Sequence, residues 1–277
     1  MKLRPATRHV VGIIAIIASA VIFLVPFAFI AIQALKTAPE AANLDFLWPT
    51  QIALVENVVA VFQANDYMLI LAFWNSVILT VLSVTVMVVV AAMIGWVLAR
   101  RPSKWNPWIS FFILAGLIVP PAIVPTAWIM QRLGIFNTIG GLALVEVAYG
   151  MAFCVLLFRA FVSTIPRELD EAAAIDGAGP LRLFFRIGFP LLRSVIVTAI
   201  VVQSVAVFND FANPLYFLPG SENATVQLTL FNFQSQFQTS WNLLFTNILL
   251  ITIPPLLMYI FFNRQIVAGM TAGAIKG

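Results

Sequence analysis

Six apolar stretches constrain this chain more than any motif in it. They fall at 10–35, 73–99, 108–130, 139–158, 191–208 and 243–262. A helix rises 1.5 Å per residue, so about 20 apolar residues cross the roughly 30 Å hydrocarbon layer of a bilayer. In lipid no water satisfies the backbone, and helices are the open-ended structures that satisfy it internally. The charged fraction of 9%, against about 25% for soluble domains, fits no water-soluble fold. The expected class is an all-α polytopic membrane protein with about six transmembrane helices. Pro26, Pro120, Pro121, Pro125, Pro254 and Pro255 lie in or beside the stretches, where neighbouring helices take up the freed backbone groups. With no strong internal repeat and no low-complexity tract, residues 1–277 parse as one transmembrane domain.

Charge sets the expected topology. All Lys and Arg except Lys36 and Arg132 precede the first stretch, follow the sixth, fall between the second and third or fourth and fifth, or, as Arg193, stand at the very start of the fifth. Basic residues in short loops mark the cytoplasmic side, which places both termini there. The net charge of +4 is then a topology signal, and with no basic groove-entering element a nucleic-acid partner is excluded. The first stretch is too long for a signal-peptide core and reads as a retained span. Cys154 is the sole cysteine, so an intrachain disulfide is excluded. Asn223-Ala224-Thr225 matches a glycosylation sequon and reads as a chance occurrence.

The same topology puts two sizeable segments outside, 37–72 and 213–242. The second carries one charge, Glu222, and an amide-rich run whose Gln234, Gln236 and Gln238 offer neutral hydrogen bonds without the cost of burying a charge. These three are the candidate contacts to an external partner. Within or beside the spans, Asn75, Glu146, Asn209, Asp210 and Asn247 are candidates for a translocation path. Polar groups at that depth are costly and face cavities or one another. No metal-ligand spacing, nucleophile constellation or phosphate-binding GxxxxGK[ST] motif is present. The chain therefore reads as neither an enzyme nor an ATPase, with no cofactor or metal of its own.

The loop 161–190, between the fourth and fifth stretches, concentrates the mixed charge. Pro166 suits a first helical turn, and Glu168, Asp170 and Glu171 suit the positive end of a helix dipole. Gly177 stands where a left-handed residue would close that helix. Gly179-Pro180 opens a second short helix with Arg182, Arg186 and the apolar Leu183, Phe184 and Ile187. The expected product is a compact knob lying along the membrane.

The order Glu171-Ala172-Ala173, Asp176-Gly177-Ala178, Ile187-Gly188-Phe189-Pro190 resembles the coupling loop of importer-type ABC transporter permeases. Phe189 stands where the family often has Leu, which keeps bulk and apolarity. Asn75-Ser76, 133–138, Phe208-Asn209-Asp210 and the ending 264–277 extend the resemblance to the sugar branch, in particular the smaller permease of maltose-type systems. The resemblance implies a coupling helix in which Glu171, Ala172, Ala173, Asp176, Gly177, Ala178, Ile187 and Pro190 meet an ATP-hydrolysing subunit. It also implies a tail, 263–277, whose Gly269, Thr271, Gly273 and Lys276 reach between two ATPase subunits. The partners implied are a second homologous permease, two nucleotide-binding subunits carrying ATP and Mg, an external solute-binding protein, a sugar and membrane lipid. The implied location is a prokaryotic inner membrane. An ion-gradient-driven transporter or channel is the alternative; it would favour buried ion ligands and discontinuous helices.

Overall fold

The computed structural model describes residues 5–234 and 239–272. In chain order the helices are α1 (Pro5–Leu35), α2 (Ala38–Ala41), α3 (Leu54–Gln63), α4 (Met68–Arg100), α5 (Asn106–Ile118), α6 (Ile123–Arg132), α7 (Ile139–Val162), α8 (Glu168–Ile175) and α9 (Pro180–Leu183). A π turn, Phe184–Gly188, follows, then α10 (Phe189–Leu191), α11 (Arg193–Phe208), α12 (Ala212–Phe217), a 3-10 segment Val226–Phe233 and α13 (Trp241–Ala272). Among the described residues the only β feature is an isolated bridge between Gln234 and Thr239.

Four helices are long and apolar enough to cross a bilayer: Gly12–Leu35, Met68–Arg100, Ile139–Val162 and Trp241–Asn263. Two bent pairs raise the number to six if each is one span. The third stretch of the sequence is one of these, and it is not the single helix its composition suggests. Helices α5 and α6 meet at 113° across 119–122. The cause is Pro120-Pro121: the residue before a proline is driven out of the helical region, and Val119 sits extended at ψ 123°. Helix α5, at 13 residues, reaches only about 20 Å by itself. The fifth stretch is the other case, with α11 turned by 76° from the segment Pro180–Leu191. The second begins at Met68, ahead of the stretch that starts at 73, because Met68-Leu69-Ile70-Leu71-Ala72 is itself apolar and continues the helix. From Gly12 to Leu35 helix α1 carries only Ser19 and Gln33 as polar residues and bares Ile13, Ile16 and Phe23, the surface expected of a helix solvated by lipid.

The chain forms two compact units. The first comprises 1–70 and 229–253, the second 71–228 and 254–277. In the first, a polar network fixes the end of α1. The Lys36 ammonium, only 2% exposed, donates to the Asp45 carboxylate at 2.6 Å and the Asp45 carbonyl at 2.8 Å. Asn57 of α3 donates to the carbonyls of Ala34 and Lys36, both at 2.9 Å, and accepts from Asn242 at 2.7 Å. Those carbonyls at and just beyond the end of α1 lack a helical partner of their own, so one buried amide completes the helix end.

In the second unit α7 packs against α5 and α11, with Met87, Leu142, Val155, Phe158, Leu192 and Val195 buried between helices. Helix α4 comes close enough to α7 that a Cβ on Gly95 would stand 2.8 Å from that of Phe158. A glycine at this point is a packing requirement.

Candidate functional site: the knob between α7 and α11

The loop predicted to form a knob does so through identifiable local chemistry. Helix α8 opens with Glu168, Asp170 and Glu171 in its first turn, where the dipole favours acid. Pro166 lies just ahead of the helix rather than in its first turn, and Arg167 is the boundary residue. The helix ends in a paired closure: the Gly177 amide donates to the Ala174 carbonyl at 3.1 Å and the Ala178 amide to Ala173 at 3.0 Å. That is the Schellman pattern, which needs a left-handed residue between its two bonds. Gly177 supplies it, at φ +76°.

Beyond the turn, Gly179 is the N-cap of α9 and Pro180 its first residue. The helix then widens into the π turn Phe184–Gly188, closed by the Phe189 amide donating to Phe184. Pro190 accounts for the widening, because it brings no N–H and its ring collides with the carbonyl four residues back. Ala173, Phe184 and Gly188 are buried; Glu171, Ala172, Asp176, Gly177 and Pro190 are exposed, with Ala178 and Ile187 between. Within the knob the most exposed apolar residues are Ile175 at 87% and Leu181 at 65%.

Two residues that sequence reasoning left out hold the knob. Arg100, in the last turn of α4, has its Nε 2.8 Å from an Asp170 oxygen and donates from Nη2 to the Ile165 carbonyl at 2.9 Å. One turn earlier Trp96 lies 5.2 Å from the Arg100 guanidinium and 6.0 Å, ring to ring, from Phe184. A Cβ on Gly188 would come within 2.9 Å of the Trp96 ring. The spacing Trp96-x-x-x-Arg100 puts both on one helical face. It is the one sequence sign of this arrangement.

The structure brings some of the path candidates together and separates others. Glu146 of α7 is 7% exposed, accepts from Asn213 at 3.0 Å and faces the carboxyl of Asp210. Asp210 in turn accepts the amides of Ala212 and Asn213, and Asn209 beside it accepts from Gln227 at 3.4 Å. Asn75 spends its amide on the carbonyls of Ala224 and Glu222, and neighbouring Ser76 accepts from the Val226 amide at 2.9 Å. Both brace the segment after α12. Asn247, in the first unit, is fully buried and donates to Thr229 at 2.9 Å. Gln234 is exposed, in the bridge to Thr239; Gln236 and Gln238 lie outside the described residues. Gly269 and Thr271 belong to the last turns of α13, and Gly273 and Lys276 lie outside the described residues.

Known proteins resemble this chain. The multiple sugar-binding transport system permease protein MsmG of Streptococcus mutans is 29% identical over 269 residues, covering 92% of this chain and 93% of that protein. The melibiose/raffinose/stachyose import permease protein MelC of Bacillus subtilis is 30% identical over 209 residues, 74% of this chain and 76% of that one. A crystal structure of a bacterial ABC transporter involved in the import of the acidic polysaccharide alginate contains a chain of the same fold. Its TM-score is 0.81 at 18% identity, covering 95% of this chain and 99% of that one. Residues 91–271, which hold Trp96, Arg100 and the whole knob, match the family described as the binding-protein-dependent transport system inner membrane component. The chain belongs to that family.

Proposed function

We propose that this chain is the permease subunit of an ATP-driven importer for a sugar or related polyol, in a prokaryotic inner membrane. The observation that carries the proposal is the knob: a short acidic helix closed at Gly177, its tip baring Ile175 and Leu181 among Glu171, Asp176 and Arg182. An apolar patch with a charged rim, held on a braced turn, is what a docking surface for another protein requires. The sugar class rests on the relatives, MelC and MsmG.

In this reading both termini and the knob are cytoplasmic, as the basic residues indicate. A nucleotide-binding subunit, carrying ATP and Mg, receives α8. Closure of two such subunits displaces the knob, and the spans rock between inward-open and outward-open states. ATP shifts that balance only by binding one state more tightly than the other. A second permease completes the path, to which Glu146, Asp210 and Asn213 contribute acceptors and a donor suited to sugar hydroxyls. Gln234 and its neighbours meet the external binding protein, and the tail through Gly269 and Thr271 runs toward the ATPase pair.

The test is uptake by proteoliposomes containing the chain with its permease and ATPase partners. Uptake should require ATP inside and the loaded binding protein outside. Uptake driven by an ion gradient without ATP would overturn the proposal.

A further inference from the structure

Arg100 and Trp96 tie both arms of the knob to one turn of α4. The arm before Gly177 is held by Arg100, through the carboxylate of Asp170 at 2.8 Å and the carbonyl of Ile165 at 2.9 Å. The arm after Gly177 is held by Trp96, against Gly188 and Phe184. Trp96 also lies 5.2 Å from the guanidinium, so the two anchors brace each other.

Packing alone does not fasten α8 to α4. A cavity of about 420 Å³ lies there, lined by Val97, Arg100, Asp170, Leu181 and Phe184 among others. The Arg100–Asp170 pair bridges this space. The Arg100 side chain is only 8% exposed and that of Asp170 20%, so solvent screens the pair far less than a surface ion pair. A lysine would keep the charge but not the planar fork that serves a carboxylate and a carbonyl together.

We infer that Arg100 is the positioning residue that makes the knob and the end of α4 move as one body, and so decides how much of the knob's displacement reaches the membrane span. This rests on the coupling role proposed above. Arg100 itself lies behind the knob, away from the tip at Ile175, and acts through Asp170 and Ile165.

The experiment uses the assembled transporter with Arg100→Gln, Arg100→Lys and Asp170→Asn. Two quantities are read: sugar taken up per ATP hydrolysed, and the distance distribution between spin labels at Val90 on α4 and Glu168 on α8. The parent should give one narrow distance peak, before and after ATP binding. Arg100→Gln and Asp170→Asn should broaden it and lower uptake per ATP about tenfold, the factor that goes with losing one partly buried ion pair. Arg100→Lys should fall between them and the parent. A role limited to folding would lower the yield of complex and leave the ratio unchanged. A narrow peak in Arg100→Gln, or a parental uptake-to-ATP ratio, would overturn the inference. A parent that hydrolyses ATP without uptake would instead defeat the transport reading, and the label distances would still decide whether Arg100 fastens the knob.

Discussion

Gly177 allows the sharpest separation of backbone geometry from crowding. Its φ of +76° lies where a Cβ meets the following carbonyl, at a cost of about 1–2 kcal/mol for an ordinary L-residue. A Cβ built there has no neighbour within 4 Å, so Gly177→Ala carries the backbone cost and no steric one. A cost of about 1–2 kcal/mol lowers the bent closure against its alternatives roughly 5–30-fold. Asn tolerates the left-handed region better than Ala, and a β-branched Val is the least suited to it. Transport and crosslinking of the α8 tip to the ATPase subunit should therefore decline in the order Gly, Asn, Ala, Val. Membrane insertion should be unchanged, since no span is touched. Stimulation of ATP hydrolysis by the loaded binding protein gives a second readout of the same closure. Parental coupling in both the Ala and Val variants would refute the argument. So would an Asn variant as impaired as Val, because the loss would then follow side-chain size and not backbone geometry.

Gly188 should fail by the opposite mechanism. Its backbone is ordinary, but a Cβ would stand 2.9 Å from the Trp96 ring, so Gly188→Ala should cost about 1–3 kcal/mol by overpacking and recover on adding Trp96→Phe; the thermal midpoint of the purified complex checks both. Acid should loosen the segment after α1. Hydrogen bonding to Lys36 holds Asp45 below its ordinary 3.8, and hydrogen bonds from Thr50 hold Glu40 below its ordinary 4.5. Groups lowered by folding stabilise above their ordinary values and lose that contribution as pH falls through the folded ones. Hydrogen exchange at the Leu47 and Thr50 amides, which donate to these carboxylates, should accelerate beyond its intrinsic pH dependence below about pH 4. At Leu47, Asp45→Asn should show the faster exchange already at neutral pH; protection unchanged by acid or by the substitution would count against the pairing.

What the sequence made legible divides by the range of the interaction. Apolar length located the spans, because crossing a bilayer depends on a residue count and a composition. The knob was legible for a similar reason: Gly177 and Gly179-Pro180 act on their own backbone within one turn. Pro120-Pro121 marked a local fault but not its outcome. Whether a proline pair bends a span slightly or turns it by 113° depends on the helices around it. Asn75 shows the opposite limit. An amide near the start of a span has the same local sequence whether or not it reaches, as here, the carbonyl of Ala224 nearly 150 residues away. Arg100 was hidden in the same way, since its partners at 165 and 170 become neighbours only after α7 has returned the chain.

The motif Ile187-Gly188-Phe189-Pro190 shows how two missing groups do a joint task. Pro190 lacks the amide hydrogen that an unbroken α-helix would use, and its ring obstructs the carbonyl of Arg186; the chain responds with a π turn, Phe184–Gly188. Within that wider turn Gly188 lacks a Cβ, and the Trp96 ring closes against its backbone. A proline without the glycine would widen the helix and hold Trp96 off; a glycine without the proline would leave room for the ring in a helix that ran on straight. Together they seat the knob's second arm against α4 just ahead of the 76° bend into α11. Pairing of this kind predicts that the two positions vary jointly in function: Pro190→Ala should weaken the Trp96 contact even though Pro190 itself is exposed. A red shift of the Trp96 emission, in a variant whose other tryptophans are replaced by Phe, would register that loosening, and an unchanged spectrum would show that the π turn does not depend on the proline.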